Sequence, residues 1–365
     1  MLRILIFVAV SATILANPAR ALDSSAGKLE IKPILTGLDE PWSFGFLPDG
    51  SILVTERDGR LIRAGASGTW YVEGLPKIEA QGQGGLLDIQ IPNNFIQTRE
   101  LYFTYSKRAG GRTVTALGLA NLSDDARNLT NVQTLFEMTS PSSGGRHFGS
   151  RLVESRDGYI YMTLGERGEM EQAQNLSNHN GTVIRLNRDG SIPSDNPFVG
   201  TEGARPEIWS FGHRNPQGAA LDLGGNLWVN EHGAMGGDEV NLVRPGKNYG
   251  WPVIAYGRHY SGAKIGEGTE KSGMTQPQHY WDPSIAPSGM VVYSGKLWPE
   301  WRGDFFVGSL KFDYISRLDP NKNWAEEKLQ DNTTGRVRDI REAPDGTIWF
   351  LSVIDGALYR VSKPN

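Results

Sequence analysis

Short apolar runs recur along the chain, separated by clusters of Gly, Asp and Asn. Many alternate apolar and polar with a period of two, the pattern of a strand with one buried face. Few stretches carry the helical period. One phrase repeats from end to end: a D-G or G-G turn followed by a strand rich in Ile, Trp, Tyr and Val. LPDG (47–50) leads into Ile52-Leu53-Val54, and SRDG (155–158) into Tyr159-Ile160-Tyr161-Met162. LGGN (223–226) leads into Leu227-Trp228-Val229, and APDG (343–346) into Thr347-Ile348-Trp349-Phe350. An Asp-Gly turn between strands predicts a type I′ hairpin, with positive φ at both central residues. Two looser copies add strands at 100–105 and at 290–293, 304–308 and 315–318. Six units at roughly 40–50 residues each predict an all-β fold, a six-bladed β-propeller with four-stranded antiparallel blades. A pair of β-sandwiches is the competing architecture. Segments 175–206 and 256–283 are expected as long top-face loops, where sites are usually built.

The N-terminus breaks this pattern. Arg3 precedes an apolar run, and Ala19-Arg20-Ala21 is an A-x-A cleavage pattern, so residues 1–21 read as a secretory signal peptide. The run is too short for an ordinary membrane span, and an uncleaved anchor is the weaker alternative. No linker or composition shift divides the remainder, so 22–365 reads as a single domain, exported to the periplasm or secreted. Composition then excludes whole classes. The 365 residues contain no cysteine. A disulfide framework, a cysteine-ligated zinc site, an iron–sulfur cluster and a thiol nucleophile are all ruled out. The formal net charge of −4 argues against nucleic acid, which needs a basic footprint. The 45 Gly and 20 Pro together exceed the roughly 12% of average usage.

Five passages carry candidate chemistry. GQGGLLD (82–88) surrounds Gln83 with glycines that allow a flat ligand close to the backbone. His147 sits in GGRHFGSRL (144–152), where a neutral imidazole suits a general base. Arg214 and Asn215, in WSFGHRNPQG (209–218), present many donors to carbonyl or carboxylate oxygens. NEHGAMGGDEVN (230–241) combines acids with exposed backbone carbonyls, the oxygen ligands calcium prefers. Lys311, Arg336 and Arg338 form a basic set suited to a polyanionic small molecule. The two arginines are two apart on an expected strand and so share a face. Each passage alone also has an ordinary structural reading: a blade entry, a core histidine, an inter-blade ion pair, a solvated acidic turn, a solvated strand face.

In this order the passages resemble the soluble, PQQ-dependent aldose sugar dehydrogenases of the glucose/sorbosone dehydrogenase family. The resemblance runs from about Pro41 to the C-terminus. It is carried by GQGGLLD (82–88), HFG-RLV (147–153), EIWSFGHRNPQG (207–218), NEHG---GDE-N (230–241), GKNYGWP (246–252) and GRVRDIREAPDG (335–346). It implies a propeller holding PQQ and Ca²⁺ on its top face. By motif, His147 is the general base and Glu166 orients it. Gln83, Arg214, Asn215, Lys311, Arg336 and Arg338 contact PQQ, and Arg214 also stabilises charge on the quinone oxygen. The Gly233 and Ala234 carbonyls hold the catalytic calcium, with Ala234 where the family often has proline. Glu239 and the Tyr249 carbonyl match a second, structural calcium site. The implied reaction oxidises an aldose sugar at C1 to the lactone, with hydride transfer to PQQ. An external electron acceptor (a quinone, dye or cytochrome) then reoxidises the cofactor. The mature chain is expected as a monomer or weak homodimer with no membrane span. The alternatives are a calcium-dependent propeller lactonase, which needs carboxylates at the pore, and a non-catalytic propeller that binds glycans or proteins.

Overall fold

The computed structural model describes residues 20–364. The signal-peptide expectation for 1–21 lies outside the described residues except at its last two positions, whose backbone begins the strand Arg20–Ser24.

Six small antiparallel sheets make six blades. Blade 1 is Pro41–Phe46, Ile52–Glu56, Arg60–Gly65 and Gly68–Tyr71. Blade 2 is Leu86–Gln90, Glu100–Ala109, Arg112–Leu122 and Leu129–Glu137. Blade 3 is Leu152–Glu154, Ile160–Leu164, Thr182–Leu186 and Ile208–Phe211. Blade 4 is Pro216–Leu221, Leu227–Glu231, Asp238–Leu242 and His279–Trp281. Blade 5 is Pro287–Val292, Phe305–Ser309, Ile315–Asp319 and Ala325–Leu329. Blade 6 takes Val337–Glu342, Ile348–Ser352 and Ala357–Ser362 from the C-terminal end. It takes Gly27–Thr36 from the N-terminal end, with Arg20–Ser24 beyond it. The strands expected at 100–105, 290–293, 304–308 and 315–318 are all present; the first runs on to Ala109 and the second begins earlier, at Pro287, while the other two agree to within a residue.

The recurring turns differ from the expectation in one respect. Gly50, Gly158, Gly225 and Gly346 have positive φ, whereas Asp49, Asp157, Gly224 and Asp345 do not. A type I′ turn needs both. The turn here closes with two backbone hydrogen bonds, Gly50 N–H to the Leu47 carbonyl and Leu47 N–H to the Ser51 carbonyl. Asp49 Oδ1 accepts from the Ser51 N–H (2.9 Å) and hydroxyl (2.5 Å), which fixes the aspartate without left-handed backbone. The same two-bond pattern recurs at 155–159, 222–226 and 343–347, and once more at 187–191.

First strands of successive blades pack on one another around the axis, so each blade runs outward from the centre. The core is six inter-blade layers, not one nucleus. Leu86, Phe103 and Leu61 fill the layer between blades 1 and 2, and Trp298, Phe306 and Phe350 that between blades 5 and 6. At the axis, Arg151 lies 3.1 Å from Asp88 and 2.9 Å from Asp339, and Arg341 pairs with the same two acids at 2.6 and 3.0 Å. This buried network ties the first strands of blades 2 and 6 to the residue that leads into the first strand of blade 3.

Antiparallel alternation puts fourth-to-first and second-to-third connections at one end of the ring, the top. Segment 165–181 is therefore a top connection. The expected single loop at 175–206 does not exist: strand Thr182–Leu186 interrupts it, and the remainder, 187–207, joins third to fourth strand at the other end. The long 243–278 connection of blade 4 starts at that lower end but returns to the top. There Met235 bridges Arg258 and Tyr260 borders the cavity.

Candidate active site

A cavity of about 660 Å³ opens at the top of the axis. Its floor is apolar: Trp42, Leu87 and Phe148 pack together, each under 5% exposed. Its wall is cationic. Arg57, Lys311, Arg336 and Arg338 border it against a single carboxylate, Glu40. Arg57 pairs with Glu40. Lys311, Arg336 and Arg338 have no ion-pair partner among the described residues. Burial first, and then the neighbouring Arg336 and Arg151 cations, pull the Arg338 guanidinium down to about 9, with Asp339 opposing the shift. Arg336 lies one residue before its strand with φ +47°. The shared face with Arg338 thus comes from a left-handed turn and not from strand alternation.

His147 and Glu166 come from different connections and meet at the top of blade 3. His147 Nδ1 is 2.8 Å from Glu166 Oε1, and Glu166 is 2% exposed. The carboxylate holds the proton on Nδ1 and leaves Nε2 with a lone pair. Burial lowers the imidazole below its usual range, Glu166 opposes that shift, and the Arg214 cation adds to it. Gln83 Oε1 accepts from the His147 backbone N–H at 2.8 Å, so its amide nitrogen is left for another acceptor.

Arg214 is fixed at its backbone: its N–H donates to Glu231 Oε2 at 2.6 Å. Its Nη1 donates to the His232 carbonyl at 3.3 Å, while its buried Nε has no partner. Glu231 also accepts from His213 Nδ1 at 2.7 Å, and Ser210 Oγ lies 2.9 Å from His213 Nε2. This Ser–His–Glu array resembles a hydrolytic triad in distance only. Ser210 and His213 are both 0% exposed, so the array serves as an anchor for the Arg214 backbone. Asn215 Oδ1 accepts from Gly149 N–H and Gln217 Nε2.

Gly233 and Ala234 border the cavity. Asp238, in the same passage, is 0% exposed and is saturated by the Gly233 and Ala286 N–H groups and the Ser284 hydroxyl. It is a loop anchor and not a solvated acid. Among the described residues no three His, Asp or Glu side chains gather closely enough to hold a metal. A cation at Gly233 and Ala234 therefore depends on main-chain carbonyls and on oxygens brought by an anionic ligand, a donor set that suits calcium. Glu239 and Tyr249 border a separate void of about 20 Å³ together with Glu231. Burial and the Glu231 charge push Glu239 up to about 8. A cation in that void would relieve both effects.

Of the residues singled out from the sequence, Gln83, Asn215, Gly233, Ala234, Lys311, Arg336 and Arg338 border the cavity, and Arg214, Glu239 and Tyr249 border the adjoining void. His147 and Glu166 border neither, and His147 joins the cavity wall through its backbone bond to Gln83 and its neighbour Phe148. Sequence reasoning missed Trp42, Arg57, Phe148, Gln217 and His232. Phe148, Gln217 and His232 stand inside quoted motifs, next to residues that were selected. His232 Nε2 lies 2.7 Å from the Pro287 carbonyl. Trp42 and Arg57 carried no local signal, because a tryptophan on a strand reads as core and an arginine before Asp-Gly reads as turn.

The chain is similar to known proteins along most of its length. The family model for glucose/sorbosone dehydrogenase matches residues 38–360. Aldose sugar dehydrogenase YliI of Escherichia coli (strain K12) is 40% identical over 355 residues, covering 94% of this chain and 96% of the relative. The solved apo-form of the soluble aldose sugar dehydrogenase from Escherichia coli superposes with a TM-score of 0.87 at 39% identity, covering 92% of this chain and 100% of that one. The PQQ-bound aldose sugar dehydrogenase from Streptomyces coelicolor shares the fold, with a TM-score of 0.73 at 24% identity over 92% of this chain and 98% of its own. The chain belongs to the glucose/sorbosone dehydrogenase family.

Proposed function

We propose that this protein oxidises aldose sugars at C1 with PQQ and calcium in the top cavity. The observation that carries this reading is the coincidence of three cations outside any ion pair, Lys311, Arg336 and Arg338, with an apolar floor and, one residue before Phe148 of that floor, a carboxylate-oriented histidine. A flat tricarboxylate such as PQQ matches that wall and floor. The lactonase alternative calls for carboxylates converging on the pore, and here the wall is basic.

When bound, PQQ supplies the two-electron acceptor and calcium supplies Lewis acidity at its carbonyl. The chain does the rest. His147 Nε2, freed by the Nδ1–Glu166 contact, takes the proton from the anomeric hydroxyl. Arg214 places its guanidinium where negative charge grows, and its buried Nε reserves a donor for that purpose. Gln83 and Asn215 supply further polar contacts. Gly233 and Ala234 offer the catalytic calcium their carbonyls, while Glu239 and Tyr249 hold a second, structural ion. The product is a lactone, and an external acceptor reoxidises the cofactor. The apolar leader and A-R-A triplet support export, and no helix of the described residues is long and apolar enough to cross a membrane.

The test is reconstitution. Purified protein given PQQ and Ca²⁺ is expected to show bound quinone absorbance and glucose-dependent dye reduction. Bound PQQ with no reduction by any aldose overturns the sugar-oxidation reading.

A further inference from the structure

Two buried arginines lie against the aromatic floor of the cavity. Arg151 stands 4.5 Å from the centre of the Trp42 ring, and Arg167 stands 3.4 Å from that of Phe148. Their charges are handled differently. Arg151 is neutralised by Asp88 and Asp339. Arg167 is 1% exposed and has no carboxylate within ion-pair distance among the described residues, and only the more distant Glu166 and Glu169 charges act on it. Its Nη1 donates to the Arg146 carbonyl at 2.8 Å and its Nη2 to Thr113 Oγ1 at 2.9 Å, while its Nε is buried without a partner. An unpaired buried cation costs stability, and a well-packed apolar side chain of similar size is often better tolerated.

The position explains the charge. Arg167 follows Glu166, and its two anchor points, the Arg146 carbonyl and the Phe148 ring, flank His147. Residues 147, 150 and 167 all have positive φ, so the histidine segment holds an uncommon backbone conformation that something must fix. Phe148 borders the cavity whereas Arg167 does not, so the ring separates the guanidinium from the occupant.

We propose that Arg167 is a positioning residue with two effects. Through Arg146 and Phe148 it fixes the segment that presents His147, and across the Phe148 ring it adds a positive charge, bound in no ion pair, that draws an anionic occupant into the cavity. This rests on the PQQ reading above.

Two variants separate the effects. Arg167→Lys keeps the charge but loses the planar fork. It is expected to bind PQQ within about threefold of the unmodified protein, while kcat falls more than tenfold. Arg167→Met keeps bulk but loses charge and fork. It is expected to bind PQQ at least tenfold more weakly, by titration of tryptophan fluorescence, with a shallower salt dependence and a thermal midpoint equal to or above the parent. If Arg167→Met binds PQQ as the parent does with unchanged kcat, the inference is wrong. If Arg167→Met loses binding only as it loses thermal stability and Arg167→Lys loses both as well, Arg167 is structural only and the inference is equally wrong. Failure of the unmodified protein to bind PQQ overturns the functional reading itself, a result distinct from both.

Discussion

His147 holds φ at +54°, a region that Asn and His enter more readily than most side chains. A test of its role must preserve that backbone, so His147→Asn is the informative variant. PQQ binding should stay within a few-fold while kcat falls by about 100- to 10,000-fold, the usual worth of a general base; unchanged turnover would remove His147 from the mechanism. Glu166 stabilises the protonated imidazole and so raises its pKa against the lowering effect of burial. In Glu166→Gln the His147 pKa therefore drops, and the acidic limb of kcat/KM against pH should move to lower pH as the plateau falls. A limb that stays put or moves up contradicts the pairing. At this scale the sequence showed identities but not partners. His147 and Glu166 are brought together by two connections of blade 3, and their pairing was read from family resemblance alone. Arg167 was invisible because a lone arginine beside Glu-Gly reads as solvated turn.

Elements were more legible, because the repeated turn is a local device whose residues lie within five positions of one another. Its second strands were all found. The turn type was misassigned since Asp-Gly serves two geometries; at 47–51 and 343–347 the Asp side chain accepts from the residue after the glycine, whereas at 155–159 and 222–226 the first residue of the turn, Ser155 or Asp222, makes the corresponding side-chain bond. Gly50 isolates the cost of that choice. Its φ is +81° and a Cβ there would meet nothing within 4 Å. Gly50→Ala should thus destabilise through backbone conformation alone, by about 1 kcal/mol, with Gly50→Asn losing less. Equilibrium urea unfolding of both variants checks this, and an alanine variant as stable as the parent would refute it. The strand Gly27–Thr36 went unread because its partner, Ala357–Ser362, stands at the far end of the chain. Leu29 on that strand is 0% exposed within the layer between blades 5 and 6. Leu29→Ala should cost about 2–5 kcal/mol in the same experiment, and a cost below about 1 kcal/mol would show the strand to be peripheral.

For the whole molecule, six blades were predictable from the recurrence of one phrase, whereas the cavity was not, since it is made where stretches from every blade converge. Calcium acts at this scale. An ion bound by the folded ring alone stabilises it by about 2.7 kcal/mol at a hundred times its Kd. Chelation should therefore lower the thermal midpoint even without PQQ, through the Glu239 and Tyr249 void, and added Ca²⁺ should restore it. A midpoint indifferent to chelator would remove the structural calcium.

Blade 6 draws strands from both ends of the chain, and this has a kinetic consequence. Trp42 and Arg57 stand on blade 1, Lys311 on blade 5 and Arg338 on blade 6, so the floor and the wall face each other only after the first and last parts of the chain have joined. A flat anion at the axis touches groups that an open ring holds apart, and it acts as a keystone: its binding free energy opposes every opening of the seam. Amide exchange in the strands at 27–36 and 357–362 should therefore slow when the cavity is filled, although both stand at the outer side of the last blade.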